Sequence, residues 1–196
     1  MYAPRWTALL TDREVVGEDQ LGLEGVAQSY QQYLVPGVIT TTEHARYYSF
    51  YSWVLYRYII DPASPRTLAG FRGEYFKRYE LAFILGSYAH HRDEGLGGLV
   101  GSGNQNYKAR RMLEAGDPVV LDAHLDYFGN ELGGFGQYYR TAMREMGLVR
   151  DPEEPKLVYR LTSRGEGLAL AYEASIVDTL YYHALLEGGT LSQLAH

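Results

Sequence analysis

Apolar and aromatic side chains recur at helical spacing through most of this chain. The densest stretch, residues 45–60, carries seven aromatic rings in sixteen positions. On a helix, Tyr47, Tyr51 and Tyr58 share one face, and further apolar side chains cover nearly all of the remaining circumference. A helix of this kind is predicted to be buried, either in the core of the protein or in a protein interface.

The same spacing predicts two further helices in the first half of the chain. Residues 21–34 form the first, which ends at Pro36 and Gly37. Residues 67–90 form the second, which we expect to pack against the aromatic helix. Thr42 is the predicted N-cap of the aromatic helix, because its hydroxyl could accept a hydrogen bond from the first turn.

The last third of the chain alternates helical and strand-like patterns. A helix is predicted for residues 135–146 and is ended by Gly147, after which residues 148–150 begin a strand. A polar turn leads into the alternating residues 156–161, which complete a hairpin. Thr162 then precedes a long helix, so this part of the chain is predicted to be a helix, a β-hairpin and a helix.

These elements together predict a mainly α protein in two parts. Residues 1–130 form an N-terminal helical bundle that includes a glycine-rich loop at residues 95–104. Residues 131–196 form the C-terminal helix, hairpin and helix unit, which packs on the bundle. A chain of 196 residues is long enough to bury a substantial core without disulfides or a structural metal.

Composition narrows the setting in which the protein works. The chain has no cysteine, which excludes disulfides, thiolate zinc sites and cysteine nucleophiles and fits a reducing compartment. We see no signal peptide and no apolar run that could span a membrane, so we expect a cytoplasmic protein without a membrane partner. The 19 tyrosines, against 6 phenylalanines, either lie at the margin of a helical core or form a Tyr-rich surface for bases, a protein partner or a second copy.

Charge is divided unevenly along the chain. The net charge of −6 combines −3 over residues 1–42, +4 over residues 43–111 and −7 over residues 112–196. Attraction to phosphate is screened over about 8 to 10 Å, so a nucleic-acid contact is expected first in the basic middle. The alternative is that the basic middle docks on the acidic end.

The best candidate for an anion site within that basic middle follows the glycine-rich loop. Lys108, Arg110 and Arg111 lie on a predicted short helix, residues 106–114, whose N-terminal backbone donors could hold a phosphate together with these cations. The loop is not a P-loop, because no Gly-Lys-Ser/Thr follows the glycines. A flexible loop beside a solvated basic helix face is the alternative interpretation.

No catalytic residue, metal or cofactor is predicted. One sequence cluster combines histidines with carboxylates: His90, His91, Asp93 and Glu94. Adjacent histidines point to different sides of a helix, and no His-x-x-x-His pair sets two imidazoles on one face. The chain also lacks a nucleophile elbow, so the remaining histidines and serines receive no role.

Three motifs lie close together in the last third of the chain: REMGLVR at 144–150, DPEE at 151–154 and LTSRGEGLA at 161–169. Through them, residues 135–173 resemble the second half of the winged-helix domain of MarR-like bacterial regulators. In that family the helix before Gly-Leu-Val is the recognition helix, the hairpin is the wing, and Leu-Thr-x-x-Gly opens the next helix.

The resemblance implies that the predicted helix at residues 135–146 binds DNA. The helix residues able to reach bases or backbone are Gln137, Tyr138, Arg140, Thr141 and Arg144. The predicted wing departs from the family, because it carries Asp151, Glu153 and Glu154 where a wing that grips phosphate has basic residues. A wing used structurally or for protein contacts is therefore the alternative.

A second segment, LVPGVITTT at 34–42 with ARYYSFYSW at 45–53, is similar to a stretch of uncharacterised bacterial proteins encoded beside genome-defence genes. That resemblance implies a bacterial, DNA-linked setting and no particular chemistry. Within the segment, Arg46 lies one helical turn before Phe50 and can stack on its ring. A buried Arg46 would need a carboxylate such as Glu43, or a bound anion.

The leading hypothesis is therefore a non-enzymatic subunit of a bacterial system that binds nucleic acid or a protein partner. Its candidate nucleic-acid or anion contacts are Arg46, Lys108, Arg110, Arg111, Gln137, Tyr138, Arg140, Thr141 and Arg144. The competing hypothesis is an enzyme whose phosphate-binding pocket lies at residues 90–111.

Overall fold

The computed structural model describes residues 22–38, 42, 44–91, 111, 114–115 and 132–186. The contacts within it divide the chain into two units, residues 1–36 and residues 37–196. The predicted boundary between residues 130 and 131 lies outside the described residues, and so does the glycine-rich loop.

The first unit contributes one described helix, α1 (Glu24–Leu34), which confirms the helix predicted there. None of the residues of α1 is buried. Val26, Tyr30 and Tyr33 are 53%, 66% and 85% exposed. The apolar residues that create the helical pattern of α1 are therefore displayed at the surface of this unit.

The described part of the second unit is mostly helical, as predicted, and contains one small antiparallel sheet. In chain order its elements are α2 (Ala45–Ile60), α3 (Leu68–Gly70), a π-helical turn (Phe71–Tyr75), α4 (Phe76–His91), a second π-helical turn (Phe135–Tyr139), α5 (Arg140–Glu145), β1 (Val149–Arg150), β2 (Arg160–Leu161), α6 (Ser163–Ile176) and α7 (Leu180–Leu186). No helix in the described ranges is long and apolar enough to cross a membrane.

α2 is the buried aromatic helix that the sequence predicts. Its buried residues are Tyr47, Tyr48, Phe50, Tyr51, Ser52, Trp53, Val54, Leu55 and Tyr58. Buried tyrosine hydroxyls need hydrogen-bond partners, and Tyr58 Oη donates to the Thr67 carbonyl oxygen at 2.9 Å. Tyr48 Oη donates to the Thr42 carbonyl oxygen at 2.8 Å. The predicted N-cap role of Thr42 is wrong, because His44 occupies the N-cap position and Thr42 is buried.

The buried side chains of the second unit form one core around α2. The ring centroid of Tyr51, in α2, lies 5.0 Å from that of Tyr139 and 5.6 Å from that of Phe135. On another side, Trp53 lies 5.5 Å from Tyr172 of α6. Contacts of this kind contribute beyond the area they bury, and they join the helices before and after residues 92–131 into one folded unit.

The helix predicted for residues 67–90 is interrupted in the structure. α3 and α4 are separated by the π-helical turn, in which Gly73 leaves helical conformation with ψ of −123°. Glycine has no Cβ and tolerates such a backbone at low steric cost. Thr67 caps the start of α3, since its Oγ1 accepts a hydrogen bond from the Gly70 amide at 3.1 Å.

The predicted hairpin is present, with shorter strands than expected. β1 and β2 are antiparallel and pair Val149 with Leu161 and Arg150 with Arg160. Just before β2, Leu157 pairs with a different segment and forms an antiparallel bridge with Thr67. The hairpin is therefore fastened to the segment that joins α2 and α3.

The predicted helix after Thr162 forms as two helices, α6 and α7. Thr162 is the N-cap of α6, and its Oγ1 accepts from the Gly165 amide at 3.2 Å. α6 packs along α2, and the buried Ala169 belongs to the shared core.

Candidate nucleic-acid interface

The helix predicted to read DNA is formed by the second π-helical turn together with α5, and it is called the 135–145 helix below. One side of it is buried in the core: Phe135, Tyr139, Ala142 and Met143. The other side is exposed and carries four of the five predicted contact residues: Gln137, Arg140, Thr141 and Arg144. This division follows from the three- and four-residue spacing of the buried positions. The fifth, Tyr138, is partly buried.

Arg140 is held in position by a neighbouring aromatic side chain. Its Nη1 donates to Tyr159 Oη at 3.0 Å, and the guanidinium carbon lies 5.9 Å from the centroid of that ring. Tyr159 itself is buried. Because Arg140 already has a fixed neighbour, less side-chain freedom is left to lose when it meets a ligand.

Gln137 and Arg144 both make polar contacts near the surface. Gln137 Nε2 donates to Tyr138 Oη at 2.8 Å. Arg144 forms ion pairs with Glu145 at 3.6 Å and Asp151 at 3.5 Å, and the Arg144 side chain is about half exposed. Exposed pairs of this kind contribute little to stability, so an incoming anion can compete for the Arg144 guanidinium.

Two arginines that the sequence analysis did not select lie next to Arg144. Arg150 at the end of β1 and Arg164 in the first turn of α6 line the same groove as Arg144, with a volume of about 490 Å³. The complete lining is Arg144, Gly147, Val149, Arg150, Asp151, Thr162, Ser163 and Arg164, and it is called the arginine groove below. Both arginines lie inside the motifs at 144–150 and 161–169 but outside the helix that was predicted to contact DNA.

The backbone around Thr162 brings these arginines together. Thr162 Oγ1 donates to the Gly147 carbonyl oxygen at 2.6 Å, and its amide donates to the Leu148 carbonyl oxygen at 3.0 Å. Gly165 is buried against the same carbonyl oxygen of Leu148, where an added Cβ would clash. The start of α6 is thus fastened directly to the turn that ends α5.

The beginning of the 135–145 helix is anchored by a buried carboxyl group. Glu80 of α4 is 1% exposed, and its Oε1 accepts from Tyr51 Oη at 2.8 Å and from the Gly134 amide at 2.9 Å. Burial raises the pKa of Glu80 to about 7, against the lowering effect of these two hydrogen bonds. Gly133, with φ of +49°, lies against the other carboxyl oxygen, where a Cβ would clash.

The remaining predicted contact residues are not brought together by the described structure. Arg46 is exposed, its guanidinium carbon lies 5.3 Å from the Tyr47 ring centroid, and its Nη2 donates to Ser87 Oγ at 3.4 Å. Arg111 is described as an exposed helical residue. Lys108 and Arg110 lie outside the described residues, as does most of the alternative pocket at residues 90–111.

In the described ranges, no group of three His, Asp or Glu side chains is arranged so that it could hold a metal ion. The structure describes the backbone of His90 and His91 but not their side chains, and Asp93 and Glu94 lie outside the described residues.

A second cleft, of about 730 Å³, lies between α2, α4 and α7. Arg57, Arg78 and Asp61 are its charged lining residues, and the Arg57 guanidinium forms an ion pair with Glu173 at 3.3 Å. Glu173 also accepts from Tyr182 Oη at 2.7 Å. The charge of Arg57 is therefore compensated inside the protein. The cleft has two arginines against one carboxylate, and the arginine groove has three against one.

Comparison of this chain with protein-family models, with curated proteins and with solved structures gives no match.

Proposed function

We propose that this protein binds nucleic acid and presents the exposed side of the 135–145 helix to it. The single observation that carries the proposal is the two-sidedness of this helix. Its inner side is fixed in the aromatic core, while Gln137, Arg140, Thr141 and Arg144 face outward. Amide, hydroxyl and guanidinium groups are those that contact base edges and phosphates.

The order of the elements supports a winged-helix interpretation of the second unit. α2 is followed by a short extended segment at Thr67, then by α4, the 135–145 helix and the hairpin. The bridge between Thr67 and Leu157 adds a third partner to the two hairpin strands. In a winged helix the helix preceding the hairpin enters the major groove, as a second helix of the helix-turn-helix type does.

Binding of a short duplex at several salt concentrations tests this proposal. We expect the affinity of the full chain to fall steeply with salt, because each neutralised phosphate releases counterions. Replacing both Gln137 and Thr141 by Ala should weaken discrimination between duplex sequences, since neither side chain belongs to the core.

Arg66→Gln provides the control, because Arg66 is exposed and its carbonyl, which accepts from the Val158 amide at 3.0 Å, is kept. Absence of salt-dependent binding, or equal loss from the control and the helix variant, would contradict the proposal.

A second candidate function is protein assembly, which is favoured by the exposed apolar residues of α1. Val26, Tyr30 and Tyr33 lie on a helix with one acidic residue and no basic one, so two copies would not repel each other strongly. We propose a second copy of this chain as the partner. Light scattering should then show a concentration-dependent dimer that Tyr30→Ser with Tyr33→Ser abolishes, and a monomer at all concentrations would contradict it.

The setting of the proposed function follows the resemblance of residues 34–53 to proteins encoded beside genome-defence genes. Both candidate functions fit a subunit of a bacterial defence system that binds DNA or another protein. The enzymatic alternative at residues 90–111 depends mostly on residues outside the described ranges.

A further inference from the structure

We propose that the arginine groove is a phosphate-binding site and that it holds the ligand at the base of the hairpin instead of at its tip. The site is formed by Arg144, Arg150 and Arg164, which reach it from α5, β1 and α6. The identification of this phosphate with a nucleic-acid backbone rests on the proposed function. Phosphate binding by the groove is independent of that function.

The distribution of charge along the hairpin favours its base. The tip carries Glu153 and Glu154, both exposed, and Glu153 forms an ion pair with Arg160. The groove at the base is lined by three arginines and a single carboxylate, that of Asp151. With the exposed Lys156 and the paired Arg160 counted, the tip has no net charge. The base has three arginines against one carboxylate, so an anion is attracted to the base more strongly than to the tip.

Two of the three guanidiniums are available for a ligand. Arg150 and Arg164 are exposed, and neither forms an ion pair with a carboxylate of the described residues. Guanidinium groups bind phosphate oxygens through paired N–H donors, and two or three of them around one groove can do so together. Arg150 and Arg164 are therefore better placed to bind an external anion than to form an ion pair within the protein.

The start of α6 contributes further donors to the same groove. Ser163 lines it and is exposed, and its hydroxyl can donate to a phosphate oxygen. The first-turn amides of a helix lack intrahelical partners and carry partial positive charge. α6 has 14 residues, and its N-cap Thr162 is already engaged with Gly147 and Gly165. The cap fixes the helix end, and the arginines supply the net charge.

Asp151 tunes the affinity of the groove. Its carboxylate pairs with Arg144 at 3.5 Å, and both side chains are exposed. A bound phosphate has to displace this carboxylate from Arg144 or share the guanidinium with it, since like charges repel. Asp151→Asn should therefore raise phosphate affinity several-fold, while Arg150→Gln or Arg164→Gln should lower it.

NMR of the arginine side-chain N–H groups in the full chain, titrated with inorganic phosphate, tests the groove directly. We expect saturable shifts of the Arg150 and Arg164 signals and none for Arg66, which lies outside the groove lining. The shifts should occur at lower phosphate concentration in Asp151→Asn. Arg164→Lys should retain part of the affinity because it keeps the charge and loses the paired donors. Shifts that are equal for all exposed arginines would overturn the site.

Duplex binding separates this inference from the proposed function. If both hold, Arg150→Gln and Arg164→Gln each reduce the slope of log affinity against log salt by about 1, and Arg66→Gln leaves it unchanged. Phosphate-dependent shifts without duplex binding would keep the groove as a site for a free phosphorylated ligand and remove the nucleic-acid function. Duplex binding whose slope is unaffected by the groove variants would keep the function and overturn the groove as a contact to the duplex backbone.

Discussion

Glu80 is the residue whose chemistry departs most from its surroundings. It is a carboxyl group in an aromatic core, with one oxygen bonded to Tyr51 and Gly134 and the other, Oε2, buried without a hydrogen-bond partner in the described structure. Among the described residues, the groups that act on its titration are Tyr51 from α2 and the Gly134 amide, and neither is a cation. Nothing compensates the charged form fully, so burial dominates and the pKa rises to about 7.

This raised pKa predicts a stability that decreases with increasing pH. The ordinary pKa of 4.5 applies to the unfolded chain, so between about 4.5 and 7 the folded protein binds more protons than the unfolded one. The contribution of Glu80 is complete below pH 4.5 and is lost as pH rises through 7. The expected loss is about 3 kcal/mol in the free energy of unfolding.

Glu80→Gln isolates this effect because glutamine has the same shape and does not titrate. Urea unfolding of both proteins from pH 4.5 to pH 8 should show the stability of the native chain falling relative to the variant over that window. Other titrating groups cancel in the difference. A constant difference between the two proteins across the window would show that Glu80 is not the titrating group.

At the scale of the elements, local periodicity predicts the helices well and their interruptions poorly. α1, α2 and the 135–145 helix follow from apolar residues spaced by three and four, a property of neighbours in sequence. The bridge from Leu157 to Thr67 joins distant segments, and nothing within 156–161 indicates it. The break occurs at Gly73, a residue that permits a non-helical backbone, but the apolar spacing of 67–90 continues across it.

The candidate site shows the same limit. The contact residues predicted in the 135–145 helix follow from the winged-helix resemblance, and four of the five are exposed. Arg150 and Arg164 are 14 positions apart in sequence and line one groove because the hairpin returns the chain to the start of α6. Gly147, with φ of +68°, makes the turn between Arg144 and Arg150. The convergence of the three arginines is thus a property of the hairpin register, which the sequence pattern leaves open.

Thr162 connects the start of α6 to the turn after α5, and a substitution can test how much its hydroxyl contributes to stability. Thr162→Ala removes the N-cap acceptor for Gly165 and the donor to Gly147. We expect a loss of about 1 to 2 kcal/mol in the free energy of unfolding, with Thr162→Ser close to the native value. Urea unfolding measures this, with the exposed Ser163→Ala as the matched control; equal stability of the Ala and Ser variants would contradict it.

At the scale of the whole molecule, the large apolar side chains that are buried belong to the second unit. The described buried residues run from Thr42 to Leu185, and α1 contributes none of them. The net charge of −6 is likewise no guide to the candidate site. The acidic last third contains the arginine groove, because the hairpin and the start of α6 place three of its arginines around one groove.

The division into two units predicts that the second can fold without the first. A chain beginning at Gly37 loses α1 but keeps every described buried side chain. It should therefore unfold in one cooperative transition within a few degrees of the full chain, because ordering a helix that buries nothing adds little stability. Thermal unfolding by circular dichroism measures this.

Phe50→Ala in the full chain serves as the positive control for that measurement. Phe50 is completely buried, and removing its ring should cost about 3 to 5 kcal/mol and lower the melting temperature clearly. If the shortened chain is destabilised as much as this variant, residues 1–36 support the core and the two-unit division is wrong. If it is not, and the shortened chain also remains monomeric where the full chain dimerises, α1 acts in assembly and the second unit alone carries the phosphate site.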